Sequence, residues 1–221
     1  MASEALVDIA SLDAGGLTDA LKELGQPAFR RAQIVAWLYA RLAGSFDEMT
    51  DLPASLRSTL AERFALAHPV LVERQESADG TRKYLWRLPD GVLVESVGIP
   101  AGDRLTVCFS TQAGCAMGCT FCATGRGGFV RNLLPGELAW QVALVATDFG
   151  MRASNAVAMG QGEPFNNYAA TLGGLRLMNA REGLGIGARH LTISTCGVIP
   201  GIEALAREPE QFTLAVSLHS A

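Results

Sequence analysis

The sequence predicts an α/β chain in which a small helical domain and a short antiparallel β meander precede the first four strands of a partial (β/α) barrel. Three observations carry this. Apolar residues recur at helical spacing up to about residue 66, and they alternate with period two from about 69 to 99. After residue 101 they fall into strand-like and helix-like runs in turn. The expected units are therefore 1–66, helical; 67–100, meander and connector; and 101–221, an incomplete barrel.

Each element has its own reason. In residues 29–42, Ile34, Val35, Trp37, Leu38 and Leu42 form one apolar stripe, with arginines on other faces. Leu52-Pro53 opens another helix, proline being tolerated in a first turn. Strands are expected at 70–72, 84–88 and 92–94, joined by the turn sequences Ala-Asp-Gly at 78–80 and Pro-Asp-Gly at 89–91. Beyond residue 101, strands are expected at 104–110, 155–159, 190–195 and 212–218, and helices at 135–149, 168–179 and 199–207. Such alternation implies a parallel sheet of βαβ units, whose chemistry collects at the C-terminal strand ends. A chain stopping after the fourth strand would leave an apolar edge unpaired, so the sequence is expected to be a fragment or truncated product of something longer.

Composition excludes some classes. No stretch reaches the roughly 18–20 apolar residues of a membrane span, and the start lacks a basic export signal, so a cytoplasmic protein is expected. A formal charge of −4 argues mildly against nucleic acid. That average hides Arg126 and Arg131 beside a glycine-rich segment, and Arg30, Arg31, Arg41, Arg57 and Arg63 in the N-terminal part. A solvated helix face and RNA contact remain equally open for these arginines.

The most restrictive feature is Gly-Cys-Ala-Met-Gly-Cys-Thr-Phe-Cys, with Cys115, Cys119 and Cys122. Three soft thiolates at this spacing can hold three irons of a cubane cluster and leave the fourth iron open to a chelating ligand. With Phe121, the run resembles the C-x3-C-x-aromatic-C signature of radical S-adenosylmethionine enzymes. Structural zinc would want a fourth ligand in a second pair, but Cys108 and Cys196 form no second knuckle and His68, His190 and His219 are dispersed. Five cysteines without an export signal also argue against a disulfide framework.

Other candidates follow at the later strand ends. In Gly160-Gln161-Gly162-Glu163-Pro164, backbone at Gly162 can approach a ligand closely, and the Glu163 carboxylate can pair with a ligand ammonium. Ser194 and Ser217 offer hydroxyls for carboxylate or ribose oxygens, or simply cap strand ends. His219 could contact an adenosine or pack. Taken alone, Cys108 reads as a small buried hydrophobe and Glu95 as a solvated strand residue.

Over nearly its whole length the chain resembles the radical S-adenosylmethionine family of 23S rRNA adenine carbon-2 methyltransferases, whose members also act on tRNA. The resemblance lies in Phe29-Arg-Arg-Ala-Gln-Ile, Asp79-Gly-Thr-Arg-Lys-Tyr, Asp90-Gly-Val-Leu-Val-Glu-Ser, the cysteine run from Ser110, Gly187-Ala-Arg-His-Leu-Thr-Ile-Ser-Thr and Leu214-Ala-Val-Ser-Leu-His. It implies a partial radical SAM barrel, a [4Fe–4S] cluster, two S-adenosylmethionines per turnover and an S-methylcysteine intermediate. A flavodoxin or ferredoxin would donate electrons to a monomeric enzyme. It further implies that Glu95 accepts a proton, that Cys108 attacks the protein–RNA crosslink and leaves as a disulfide, and that Gly162, Glu163, Ser194, Ser217, Leu218 and His219 contact S-adenosylmethionine. The family's methyl-carrying cysteine and a late asparagine would lie beyond Ala221, so this form is expected to bind a cluster without methylating RNA. Cys196 stands where serine is expected, and Gln161 is a variant within its motif. A different radical enzyme, such as a glycyl-radical activase, would share the cysteines but not the N-terminal helices. A cluster- or zinc-binding RNA adaptor without turnover is the non-catalytic alternative.

Overall fold

The computed structural model describes residues 6–218. It opens with β1 (Val7–Asp8) and α1 (Ala14–Glu23), whose N-cap Asp13 accepts a hydrogen bond from the Gly16 amide at 2.8 Å. Then come α2 (Arg30–Val35), which continues into a π-helical turn over Ala36–Ala40, and α3 (Ala54–Arg63). β2 (Phe64–Ala65) closes this part by pairing parallel with β1. The expected stripe is buried through Ile34, Val35 and Leu38, together with Tyr39.

The remaining strands are β3 (Val70–Glu76), β4 (Arg82–Arg87), β5 (Leu93–Ala101), β6 (Arg104–Cys108), β7 (Gln112–Gly114), β8 (Phe129–Asn132), β9 (Asn155–Ala158), β10 (Leu191–Thr195) and β11 (Thr213–Val216). The helices among them are α4 (Ala123–Arg126), α5 (Pro135–Phe149), α6 (Tyr168–Asn179) and α7 (Ile199–Leu205). Seven strands make one mixed sheet in the order β11-β10-β9-β6-β5-β4-β3. β6, β9, β10 and β11 run parallel, while β3, β4, β5 and β6 pair antiparallel. The meander is thus continuous with the parallel strands through the β5–β6 hairpin. The expected strand over 104–110 stops at Cys108 because Ser110 leaves the ladder. Its amide donates to Gln141 Oε1 at 2.9 Å, and its carbonyl accepts from Gln141 Nε2 at 3.0 Å.

The sheet has two unlike faces, set by the period of two. Val94, Ser96, Leu105, Val107, Ala156, Leu191 and Ile193 are buried on one face, where α5 packs on β5 and β6 and against α6. α5 is well bounded. Pro135 occupies its first turn, the Glu137 carboxylate accepts from the Leu134 amide at 2.8 Å, and Gly150 ends it in the left-handed conformation. Trp140 of α5 donates from Nε1 to the Leu38 carbonyl at 3.2 Å and meets His68 edge-on, joining the N-terminal helices to the core. Glu95, Val97, Cys108, Val157 and Ser194 alternate onto the opposite, partly open face.

Most of the highlighted arginines are engaged within the chain. Arg131 forks onto both oxygens of buried Glu137 at 2.7 and 2.8 Å and reaches Asp90 at 2.6 Å. Arg31 pairs with Glu182, Arg41 with Asp51, and Arg30 bonds Gln33 and the Asp51 carbonyl. Arg57 donates to the Asp47 carbonyl, while Arg126 stays exposed. Among the described residues no helix is long and apolar enough to cross a membrane.

Candidate functional site

The cysteine run forms the tip of a hairpin that the strand reading does not anticipate. After β6 the chain turns into β7, which pairs antiparallel with β8 and closes the loop over residues 115–128. At the neck, Gly114 has φ +73°, and a Cβ there would fall 2.0 Å from the Gly128 carbonyl oxygen, so only glycine fits. The Cys115 amide bonds that same carbonyl at 2.9 Å, and the Cys122 amide bonds the Cys119 carbonyl at 3.1 Å.

Cys115, Cys119 and Cys122 line one cavity of about 350 Å³ together with Gly160, Gly162 and Glu163. The strand-end residues Ser194, Cys196 and Ser217 complete it. The sequence-predicted groups from the ends of β6, β9, β10 and β11 therefore converge. Leu218 is 75% exposed and outside this lining, and His219 lies outside the described residues.

The thiols are not equivalent. Backbone amides at Gly125 and Thr124 and the Arg126 charge hold the Cys122 thiol below its usual range. Burial and the Glu163 carboxylate push Cys196 up to about 11. Burial also raises Cys108, against a hydrogen bond from the Met159 amide. All five cysteines are free thiols.

Among the described residues, no three His, Cys, Asp or Glu side chains converge to hold a single metal ion. A polynuclear cluster needs no such point of convergence, because each thiolate meets its own iron. The donor chemistry fits as well, with three soft thiols on one cavity wall and one of them already biased toward thiolate.

The Gly160–Pro164 turn is held against this hairpin. Gly162 has φ +102°, and a Cβ there would lie 2.6 Å from the Gln112 Cβ. Glu163 is buried. Its amide donates to Gln112 Oε1 at 2.9 Å, its Oε1 accepts from the Phe165 amide at 3.1 Å, and its Oε2 accepts from the Cys196 amide at 3.0 Å. The carboxylate braces two turns and also accepts from the Cys196 thiol. Ser194 and Ser217 place their hydroxyl oxygens 3.3 Å apart.

Glu95 and Cys108 share the open face of the sheet, but neither lines the cysteine cavity. Glu95 pairs with Lys83 at 3.1 Å and borders an adjacent cavity, while Cys108 sits half-buried in β6 between Val97 and Val157. Sequence reasoning misses the polar supports beneath the site. Ser110, Gln112 and Gln141 tie β6, the hairpin, the glycine turn and α5 together, and Asn167 donates to the Thr111 and Leu133 carbonyls at 2.8 Å each. Gln141, a polar residue in the apolar middle of α5, is the one signal that could have betrayed them.

Comparison with known proteins agrees with this geometry. Residues 7–66 match the family model of the ribosomal RNA large subunit methyltransferase N-terminal domain, and residues 109–221 match the radical SAM superfamily. A probable dual-specificity RNA methyltransferase RlmN of Gemmatimonas aurantiaca is 54% identical over 197 residues, covering 89% of this chain and 55% of the relative. One from Pelotomaculum thermopropionicum is 46% identical over 97% of this chain and 58% of its own length. The crystal structure of a radical SAM methyltransferase from Sphaerobacter thermophilus superposes with a TM-score of 0.86 at 44% identity, covering 97% of this chain and 64% of that one. This chain thus spans a little over half the length of those curated relatives. A cysteine hairpin at the end of the first parallel strand, matched across residues 109–221, makes the chain a member of the radical SAM superfamily, joined to an N-terminal domain of the rRNA large subunit methyltransferase type.

Proposed function

We propose that this chain belongs to a radical S-adenosylmethionine methyltransferase that modifies carbon 2 of a specific adenine in 23S rRNA and in tRNA. One observation carries the reading: three cysteines share a single cavity with the Gly160–Pro164 turn and the Ser194 and Ser217 hydroxyls. The parallel strands then serve as the first four of a partial barrel, with 1–66 as accessory domain and 67–100 as connector.

Superfamily membership brings a [4Fe–4S] cluster and S-adenosylmethionine as cofactors. When bound, they supply the one-electron chemistry that an electron-poor sp2 carbon requires. Cys115, Cys119 and Cys122 hold three irons. Backbone at Gly162 admits the ligand closely, and the Glu163 carboxylate takes its ammonium. Ser194 and Ser217 accept or donate at its carboxylate or ribose, and Leu218 and His219 are its further contacts. Glu95 accepts a proton from the adenine, and Cys108 is the thiol that frees the methylated RNA. A flavodoxin- or ferredoxin-type donor, a monomeric state and a cytoplasmic setting complete the reading.

Anaerobic reconstitution with iron and sulfide tests it. The expected result is an iron–sulfur absorbance and a reduced-state electron paramagnetic resonance signal that S-adenosylmethionine alters. Tight zinc binding without such a response would favour the non-catalytic RNA adaptor instead.

A further inference from the structure

Gln112 lies at the base of the cysteine hairpin, three residues before Cys115, and is only 2% exposed. It stands opposite Asn132 in the β7–β8 ladder. Both ends of its carboxamide are employed. Nε2 donates to Asn132 Oδ1 at 2.8 Å, and Oε1 accepts from the Glu163 amide at 2.9 Å. A backbone amide can only donate, so the carboxamide oxygen must be the end that faces Glu163, and its nitrogen is left for Asn132. The aliphatic stem is held as tightly. A Cβ on Gly162 would fall 2.6 Å from the Gln112 Cβ and 2.7 Å from its Cγ, so the glycine turn lies flush against this side chain.

One uncharged side chain thus spans two groups that a single ligand has to meet. Cys115, Cys119 and Cys122 ride on the hairpin. The Glu163 carboxylate rides on the glycine turn, aimed by the amides of Phe165 and Cys196. Other bonds also join hairpin and turn: the Thr111 and Gln112 amides donate to the Gln161 carbonyl, and Asn166 Nδ2 donates to Met117 Sδ. Of these links, the one from Gln112 Oε1 ends on Glu163 itself. Gln112 is not among the residues lining the cysteine cavity, so its influence on a ligand there runs through Glu163. Removing its oxygen would strand a buried amide, which costs more than the bond alone. The turn would relax to satisfy that amide and carry the carboxylate with it, and small misplacements of a binding group are expensive.

We infer that Gln112 is a positioning residue that sets where the Glu163 carboxylate stands relative to the cysteine hairpin, and thereby sets affinity for the ammonium end of S-adenosylmethionine. Asn132 assists by fixing which way the carboxamide faces. The inference rests on the Glu163–ammonium contact proposed above.

The test uses this chain, reconstituted anaerobically with iron and sulfide, and compares equilibrium binding of S-adenosylmethionine with that of its analogue lacking the α-amino group. Gln112→Met, similar in length but without polar ends, should keep the iron content and weaken S-adenosylmethionine binding ~10-fold. The analogue has no ammonium for Glu163, so its affinities for the two proteins should agree within about twofold. Asn132→Leu leaves the carboxamide free to turn and should weaken S-adenosylmethionine binding by only ~3-fold, again sparing the analogue. A loss shared equally by both ligands in either variant, or failure of both variants to load iron, would make these side chains merely structural and overturn the inference. So would undiminished S-adenosylmethionine binding by Gln112→Met where Glu163→Gln loses it. Full affinity in Glu163→Gln carries a different signature, because it removes the ammonium contact itself and the inference with it.

Discussion

The two faces of the seven-stranded sheet use alternate residues of the same strands for opposite purposes. On β5 and β6, Val94, Leu105 and Val107 are fully buried under α5, while Glu95 and Cys108, one residue away, lie on the open face. On β10, Leu191 and Ile193 are buried and Ser194 reaches the cysteine cavity. Packed and open-face side chains are thus separated by half a pleat. A slip of one residue in register would exchange them, so the packed face defines where the candidate site residues stand.

This contrast can be broken by experiment. The largest effect belongs to the hairpin tip. Any of Cys115→Ala, Cys119→Ala or Cys122→Ala should abolish cluster assembly, read as lost iron and absorbance, while shifting the stability of the cluster-free chain by no more than ~0.5 kcal/mol. An equal loss of fold and iron would show that the tip is structural. Next comes the buried half of an ion pair. Arg131→Met strands the Glu137 carboxylate, and urea unfolding should register up to about 3 kcal/mol of destabilisation.

On the sheet itself the comparison is direct. Leu105→Ala on the packed face should cost roughly 2–5 kcal/mol. Glu95→Gln on the open face breaks a surface pair with Lys83 and should cost no more than ~1 kcal/mol. Similar costs from the two would contradict the division of labour. The smallest effect is acid sensitivity. Arg131 holds Asp90, and Arg176 holds Glu210, below the usual carboxylate range. Their stabilisation is complete above the unfolded carboxylate pKa and is lost as pH falls through the lowered folded values. Both are largely solvent-screened, so the urea midpoint should drop only slightly below about pH 4.

Much of this was legible in the chain because its signals are local. The expected helices over 135–149 and 168–179 agree with α5 and α6 at both ends, since Pro135 and Gly150 mark the boundaries of the first. The cysteine spacing announced a shared cavity because eight residues cannot stray far. Other features depend on partners distant in sequence. β5 runs through Gly98 and Pro100 to Ala101, well past the expected end at 94. A Cβ at Gly98 would strike the Phe149 ring at 2.4 Å, so the glycine answers to packing against α5. β7 has three residues, too few to display a period. Arg31 and Glu182 stand 151 positions apart, and no composition rule could reveal that this arginine was already spoken for.

Glu163 joins the turn after β9 to the turn after β10, and Gln112 ties that carboxylate's own backbone to the hairpin. Three stretches of chain around the cavity mouth are therefore crosslinked before anything enters it. The conformational entropy of assembling that rim is spent during folding, so an incoming nucleotide meets a preorganised surface. Amide hydrogens at Phe165 and Cys196 should accordingly exchange slowly in the ligand-free protein, and occupancy should change their protection little.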